Sequence, residues 1–195
     1  MIRVYEPENG GILFQLGEIG DPTQGFSYSP DGQTLAIAYQ SGLVELWQIN
    51  PQKLLLSSDS VFTSPTWYTM VSADSQYLLA QRADVVDVYD LGNGEFISRF
   101  PSTTLGVSPT ENLFVTTEEN GAMYLRELPD GKIIRQMWGH QDRIYQARFS
   151  PDGKYVLTSG KDCRRILWQV KSGAIKLRLD PITVNAIGEE HTESR

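Results

Sequence analysis

The stretch GHQDRIYQARFSPDGKYVLTSGKDCRRILWQVKSGAIKLRL, from Gly139 to Leu179, decides the fold. At its centre is the turn SPDG, Ser150 to Gly153. Pro151 presets φ for a turn, Asp152 can bond its own backbone, and Gly153 accepts a left-handed conformation. An apolar run, KYVLTS, follows the turn; RILW ends a second run, and AIKLRL forms a third after the polar turn KSG. The connections are too short for crossover helices, so these strands are expected to join as antiparallel hairpins.

The same signal recurs along the chain. SPDG stands again at Ser29–Gly32, with weaker copies SADS from Ser72 and SPTE from Ser108, so successive serines lie 43, 36 and 42 residues apart. Each turn is followed by a short apolar run (QTLAIAY, QYLLAQ, NLFVTT, KYVLTS). Some 17 or 18 residues after each serine another strand ends, in LVELW, VVDVY, AMYLR and RILW. A last strand closes each unit: KLLLS, EFISRF, KIIRQM, AIKLRL. Four short strands per unit, a period near 40 residues and no sustained 3.6-residue apolar period predict an all-β chain of β-propeller blades.

The blades are expected at 21–60, 61–101, 102–138 and 139–179. IRVYE and GILFQL within 1–20 match the third and fourth strands of a partial blade, and PITVNAIG, which begins just after Asp180, matches the first strand of a next one, expected at 180–187. Residues 1–187 then form a single propeller segment and 188–195 a polar tail. Two closures fit this count. One is a partial array from a larger propeller; the other is a closed five-bladed propeller whose terminal strands share a blade. EEHTESR is too polar to supply the strand that the shared blade would lack, so the partial array is expected. Its open blade faces would invite self-association.

The residues GH…SPDG…SGKD…ILW resemble the WD-repeat propeller family, most sharply over Gly139–Leu179. Trp168-Gln169 stands where the family has Trp-Asp, whereas Asp90 after Tyr89 keeps the family residue in another copy. The other copies retain the turn, the strand pattern and, in Trp47 and Tyr89, the aromatic. The resemblance implies that His140, Thr158, Asp162 and Trp168 form a structural hydrogen-bond tetrad, Asp162 accepting from one imidazole nitrogen and Thr158 linking the other to the indole. The same residue types could make a nucleophile, base and orienter. Thr158, however, lies in the middle of an apolar strand, with no exposed elbow and no glycine-rich stretch to supply an oxyanion hole. No catalytic residue is therefore expected. Cys163, followed by Arg164 and Arg165, offers a second enzymatic reading through a reactive thiol, and an unremarkable turn thiol is the simpler one.

Composition narrows the partners. A formal charge of −7 and a pI near 4.8 disfavour a broad nucleic-acid face. One cysteine excludes an internal disulfide framework and favours a cytoplasmic setting. No apolar run approaches the roughly 18 residues of a spanning helix, and the N-terminus has no secretory pattern. His191, flanked by glutamates in the tail, is a poor metal set, and no cofactor motif occurs.

The resemblance implies a protein or peptide partner on the face around the propeller channel, at two positions of the first strand and one before the turn aspartate. In the last repeat these are Arg143, Tyr145 and Lys161; the second repeat offers Trp67 and Arg82. Such residue types are enriched at binding hot spots, although Trp67 and Tyr145 could equally pack between blades. Residues 139–179 carry a local charge of +6 within an acidic chain, a match for an acidic partner. The expected function is a non-catalytic protein-interaction scaffold. The alternatives are a sensor or regulatory segment of a larger multidomain protein, and an enzyme using His140 or Cys163.

Overall fold

The computed structural model describes residues 2–16, 20–58 and 66–180. These residues are all strand, turn and loop. A two-stranded piece comes first, β1 (Ile2–Tyr5) and β2 (Ile12–Leu16). Four four-stranded antiparallel meanders follow. The first holds β3 (Thr23–Tyr28), β4 (Thr34–Tyr39), β5 (Val44–Gln48) and β6 (Lys53–Ser58); the second β7 (Thr66–Val71), β8 (Tyr77–Arg82), β9 (Val85–Asp90) and β10 (Phe96–Pro101). The third holds β11 (Leu105–Val107), β12 (Leu113–Thr117), β13 (Met123–Glu127) and β14 (Ile133–Met137); the fourth β15 (Ile144–Phe149), β16 (Tyr155–Gly160), β17 (Arg165–Gln169) and β18 (Ile175–Leu179). This is a partial β-propeller, four complete blades and a two-stranded piece, with no closed ring among the described residues. Of the strand expected at 180–187 and the polar tail after it, all but Asp180 lie outside the described residues.

The serine turns are built as their composition dictates. Ser29, Ser72 and Ser150 each donate their hydroxyl to the aspartate two residues on, at 2.5–2.6 Å. Each hydroxyl oxygen in turn accepts the N–H of the residue five positions on, at 2.9–3.0 Å, so the turn clamps the start of the next strand. Gly153 takes the left-handed φ of +69° that closes the turn.

Successive blades bury their facing surfaces against each other. Leu16 packs with Leu35, Ile37 and Tyr39. Ala36, Ala38, Val44 and Leu46 meet Val71, Leu78, Ala80 and Tyr89 of the second blade. Leu79, Val86 and Val88 meet Leu105 and Phe114 of the third, and Val115, Met123 and Leu125 meet Val156, Ile166 and Trp168 of the fourth. Because strand side chains alternate faces, a blade buried on both sides needs consecutive apolar residues, as in Leu78-Leu79-Ala80. The fourth blade has no following sheet among the described residues, and Leu157 and Leu177 on its far face are about half exposed.

The first strands of neighbouring blades lie beside each other, β3 against β7 and β11 against β15. The fourth strands are peripheral, β18 being exposed throughout. The inner strands of the first two blades therefore share a face, as do those of the last two.

Candidate partner-binding face

The fourth blade is tied together by a chain of buried hydrogen bonds. His140 Nδ1 lies 2.9 Å from Asp162 Oδ1, and its Nε2 lies 2.8 Å from Thr158 Oγ1. The Trp168 indole N–H donates to the same hydroxyl oxygen at 2.8 Å. With the imidazole proton on Nδ1, every group in the chain has a partner, as burial demands. Asp162 also accepts the N–H groups of Gln141 and Arg164, at 2.9 and 3.1 Å. Burial would raise its carboxyl, but these two N–H groups and the imidazole outweigh burial and hold it below the ordinary aspartate value.

The glycines of the GH and SGKD motifs make room for this chain. A Cβ on Gly139 would stand 2.6 Å from the Trp168 ring, and one on Gly160 would stand 2.5 Å from His140 Nδ1. Thr158 is fully buried in β16 and has its hydroxyl between imidazole and indole. A nucleophile so placed meets no substrate. The exposed Cys163 sits in the turn beside Asp162, with its Sγ 3.8 Å from the Lys161 carbonyl. No cluster of three His, Cys, Asp or Glu residues suited to a metal exists among the described residues.

On the inner-strand face, three of the four first strands carry a β-bulge at the same register. The pairing slips between Thr23 and Gly25, between Thr66 and Tyr68, and between Ile144 and Gln146. The extra residues are Gln24, Trp67 and Tyr145. A bulge re-aims the side chain it carries, and Tyr145 is 58% exposed rather than packed between blades. The backbone of Trp67 shares that position, while its side chain lies outside the described part of the structure. Arg143 is partly exposed and forms an ion pair with Glu119 at 3.1 Å. Lys161 is exposed, and its N–H donates to the Arg143 carbonyl at 2.8 Å, which fixes the two beside each other.

Arg82 departs from the sequence expectation. It is 4% exposed and forms a buried ion pair with Asp87, which also accepts from Arg99 Nε at 2.6 Å. Arg82 stands opposite Val85 across β8 and β9, so Asp87 is its diagonal neighbour on the same sheet face. The carboxylate draws the guanidinium inward, and Arg82 is not available to a partner on the surface.

A cavity of about 190 Å³ opens between the inner strands of the second, third and fourth blades. Tyr68, Gln81, Thr103, Arg143, Tyr145 and Arg148 are among the residues that line it. Among the described residues, no carboxylate does.

Residues 131–168 match the family model described as WD domain, G-beta repeat. The stretch 131–168 is a WD repeat. It is 24% identical to mouse (Mus musculus) striatin-4 over 165 residues, which covers 77% of this chain and 22% of striatin-4. It is 32% identical over 74 residues to the WD repeat-containing protein 55 homolog of Dictyostelium discoideum, covering 37% of this chain and 18% of that protein. It is also 22% identical to apoptotic protease-activating factor 1 of Danio rerio, over 75% of this chain and 12% of that one. The chain thus spans less than a quarter of the length of each of these relatives.

The other blades have braces that sequence reasoning missed. In the third, Arg126 takes the register position of Trp168, and its Nε donates to Thr116 Oγ1 at 2.9 Å. Its guanidinium also stacks 5.0 Å from the Phe100 ring of the preceding blade. In the first, Glu45 accepts from the Tyr39 hydroxyl at 2.7 Å and from the Trp47 indole at 2.9 Å. In the second, Asp87 occupies the place of Glu45 and accepts from Tyr89 at 3.3 Å. Burial, and then the Asp87 carboxylate, push the Tyr89 phenol well above its ordinary value. The available signal was an acid two residues before the aromatic in VELW and DVY, which places both on one strand face.

Proposed function

We propose that this WD-repeat array is a non-catalytic interaction scaffold that binds a protein or peptide on its inner-strand face, with Arg143, Tyr145 and Lys161 among the contacts. The observation that carries the reading is the exposure of Tyr145 on a bulge beside Arg143 and the cavity. An aromatic anchor and an arginine on a rigid sheet supply contact area at little conformational cost. The enzymatic alternative loses support because His140 and Thr158 are buried and bonded within the brace. Trp67 shares the Tyr145 register and belongs to the same proposed face.

Partner residence on this face requires little backbone movement, and we place it in the cytoplasm on the strength of the single free thiol. A role as a regulatory segment of a longer chain is compatible with the same face, and the short span of the relatives favours it. Open blade faces such as that of Leu157 and Leu177 are the proposed route of self-association.

The test is amide hydrogen exchange with a ligand selected from a displayed peptide library. Protection is expected on β3, β7, β11 and β15. Protection confined to the peripheral strands β6, β10, β14 and β18 would contradict the proposal.

A further inference from the structure

Gln81 is a buried amide with one half satisfied. It is 2% exposed, and its Nε2 donates to the carbonyls of Ser102, Val85 and Arg82 at 2.9, 3.3 and 3.4 Å. With only carbonyls around the nitrogen, the amide cannot flip, because its oxygen would then face acceptors. Its Oε1 is buried and has no donor among the described residues. A buried acceptor without a donor is costly, and an N–H brought to it by a group in the adjoining cavity would relieve that cost. Gln81 lines the 190 Å³ cavity between the inner strands.

The rest of the lining states what that donor is attached to. Tyr68 and Tyr145, 56% and 58% exposed, stand at the cavity, and Arg143 and Arg148 line it with no acid among the lining residues. Arg143 has Glu119 as a partner at the solvent edge; Arg148 is exposed and has no partner among the described residues. The volume falls below the roughly 300 Å³ at which small-molecule and cofactor sites begin, and is of a size for a single amino-acid side chain. A group that brings a carboxylate for Arg148 and an N–H for Gln81 is an acidic residue of a peptide, its side chain on the guanidinium and its backbone amide on the carbonyl.

We infer that the cavity receives an acidic side chain of a bound peptide, with Gln81 Oε1 accepting a peptide N–H and Arg148 pairing with the carboxylate. The inference rests on the scaffold reading and gives its partner a chemistry. Short range and an exposed cation make the pairing salt-sensitive.

The test is titration of the full chain with an alternating Glu–Gly octapeptide, followed by NMR at the Gln81 side-chain amide and by fluorescence anisotropy. Binding that shifts the Gln81 resonances, is absent for the Lys–Gly counterpart, and weakens about tenfold in Arg148→Gln is expected. Arg148 is exposed and has no side-chain partner among the described residues, so this variant keeps the fold. A Glu–Gly peptide that leaves Gln81 unmoved, or binds Arg148→Gln equally, overturns the inference. Shifts at Gln24 or other inner-strand residues would then leave the scaffold reading standing, whereas a face that binds no library peptide removes both. A short oligothymidylate that shifts Gln81 more strongly than the peptide would assign the cavity to phosphate and overturn the acidic-peptide occupant.

Discussion

Arg126 in the third blade reaches Thr116 with its Nε at 2.9 Å, in the register that Trp168 and Thr158 occupy at 2.8 Å in the fourth. Two unlike side chains thus make the same cross-strand bond. A threonine hydroxyl in the second strand needs a donor from the third, and either an indole or a guanidinium supplies it. In the first two blades the acceptor has moved to the third strand as Glu45 and Asp87, and the aromatic on the same face still donates to it. The second strand reaches the same acceptors, through Tyr39 to Glu45 and Arg82 to Asp87, so the constant feature of the array is a buried bond between its second and third strands.

The brace of the fourth blade holds stability. Thr158→Val preserves shape and removes the shared hydroxyl, leaving the indole and the imidazole without it. Unfolding stability should fall by about 1–3 kcal/mol. Urea melts of Thr158→Val, Trp168→Phe and the double variant should show the two losses to be strongly non-additive.

Gly160→Ala places a methyl 2.5 Å from His140 Nδ1 and 2.6 Å from Asp162 Oδ1. Neither neighbour can move without breaking the bond between them. The cost expected for such overpacking is about 1–3 kcal/mol, read from the same melts. An unchanged melt would mean that the imidazole does not sit over the Gly160 backbone.

Asp162 carries a pH signature. Its folded pKa lies below the ordinary 3.8, so the folded state binds fewer protons than the unfolded one near that pH. Its contribution is fully present above about 3.8 and is lost as pH falls through the lower folded value. Asp31 and Asp152 are lowered too, held by their serine turns, and at Asp74 burial is outweighed by its serine turn together with Asn112. The contribution of Asp162 is therefore the difference between wild type and Asp162→Asn: constant at neutral pH and shrinking below about pH 4 in thermal melts.

Asp87→Ala tests the second blade. It leaves Arg82 buried with its carboxylate gone, for which a loss of about 3–5 kcal/mol is expected. Arg99→Ala, at the half-exposed partner, should cost far less. Equal losses would mean that burial does not govern this cluster.

Strand order, turns and blade number were legible because the serine turn repeats with its hydrogen-bond chemistry intact, and because consecutive apolar residues betray sheets buried on both faces. The fourth-blade brace was legible since all four of its residue types stand in the last repeat. The braces of the other blades were not: a carboxylate on a third strand reads as an exposed charge until the aromatic two residues away is placed on the same face. Arg82 was misplaced for the same reason. Its position before a turn said nothing of the diagonal Asp87. Gln81 gave no sequence signal at all, because Ser102, whose carbonyl takes its shortest bond, lies 21 residues away and meets it only in the folded chain.

The scaffold reading is tested most directly by affinity and melting measured together on Arg143→Ala/Tyr145→Ala, using a ligand selected on the intact chain. Both side chains reach solvent from β15 and its approach, outside the packed cores. The account predicts a loss of about tenfold or more in affinity with an unchanged melting temperature. Undiminished affinity in a variant that still folds would contradict it and move the binding surface away from the inner-strand face.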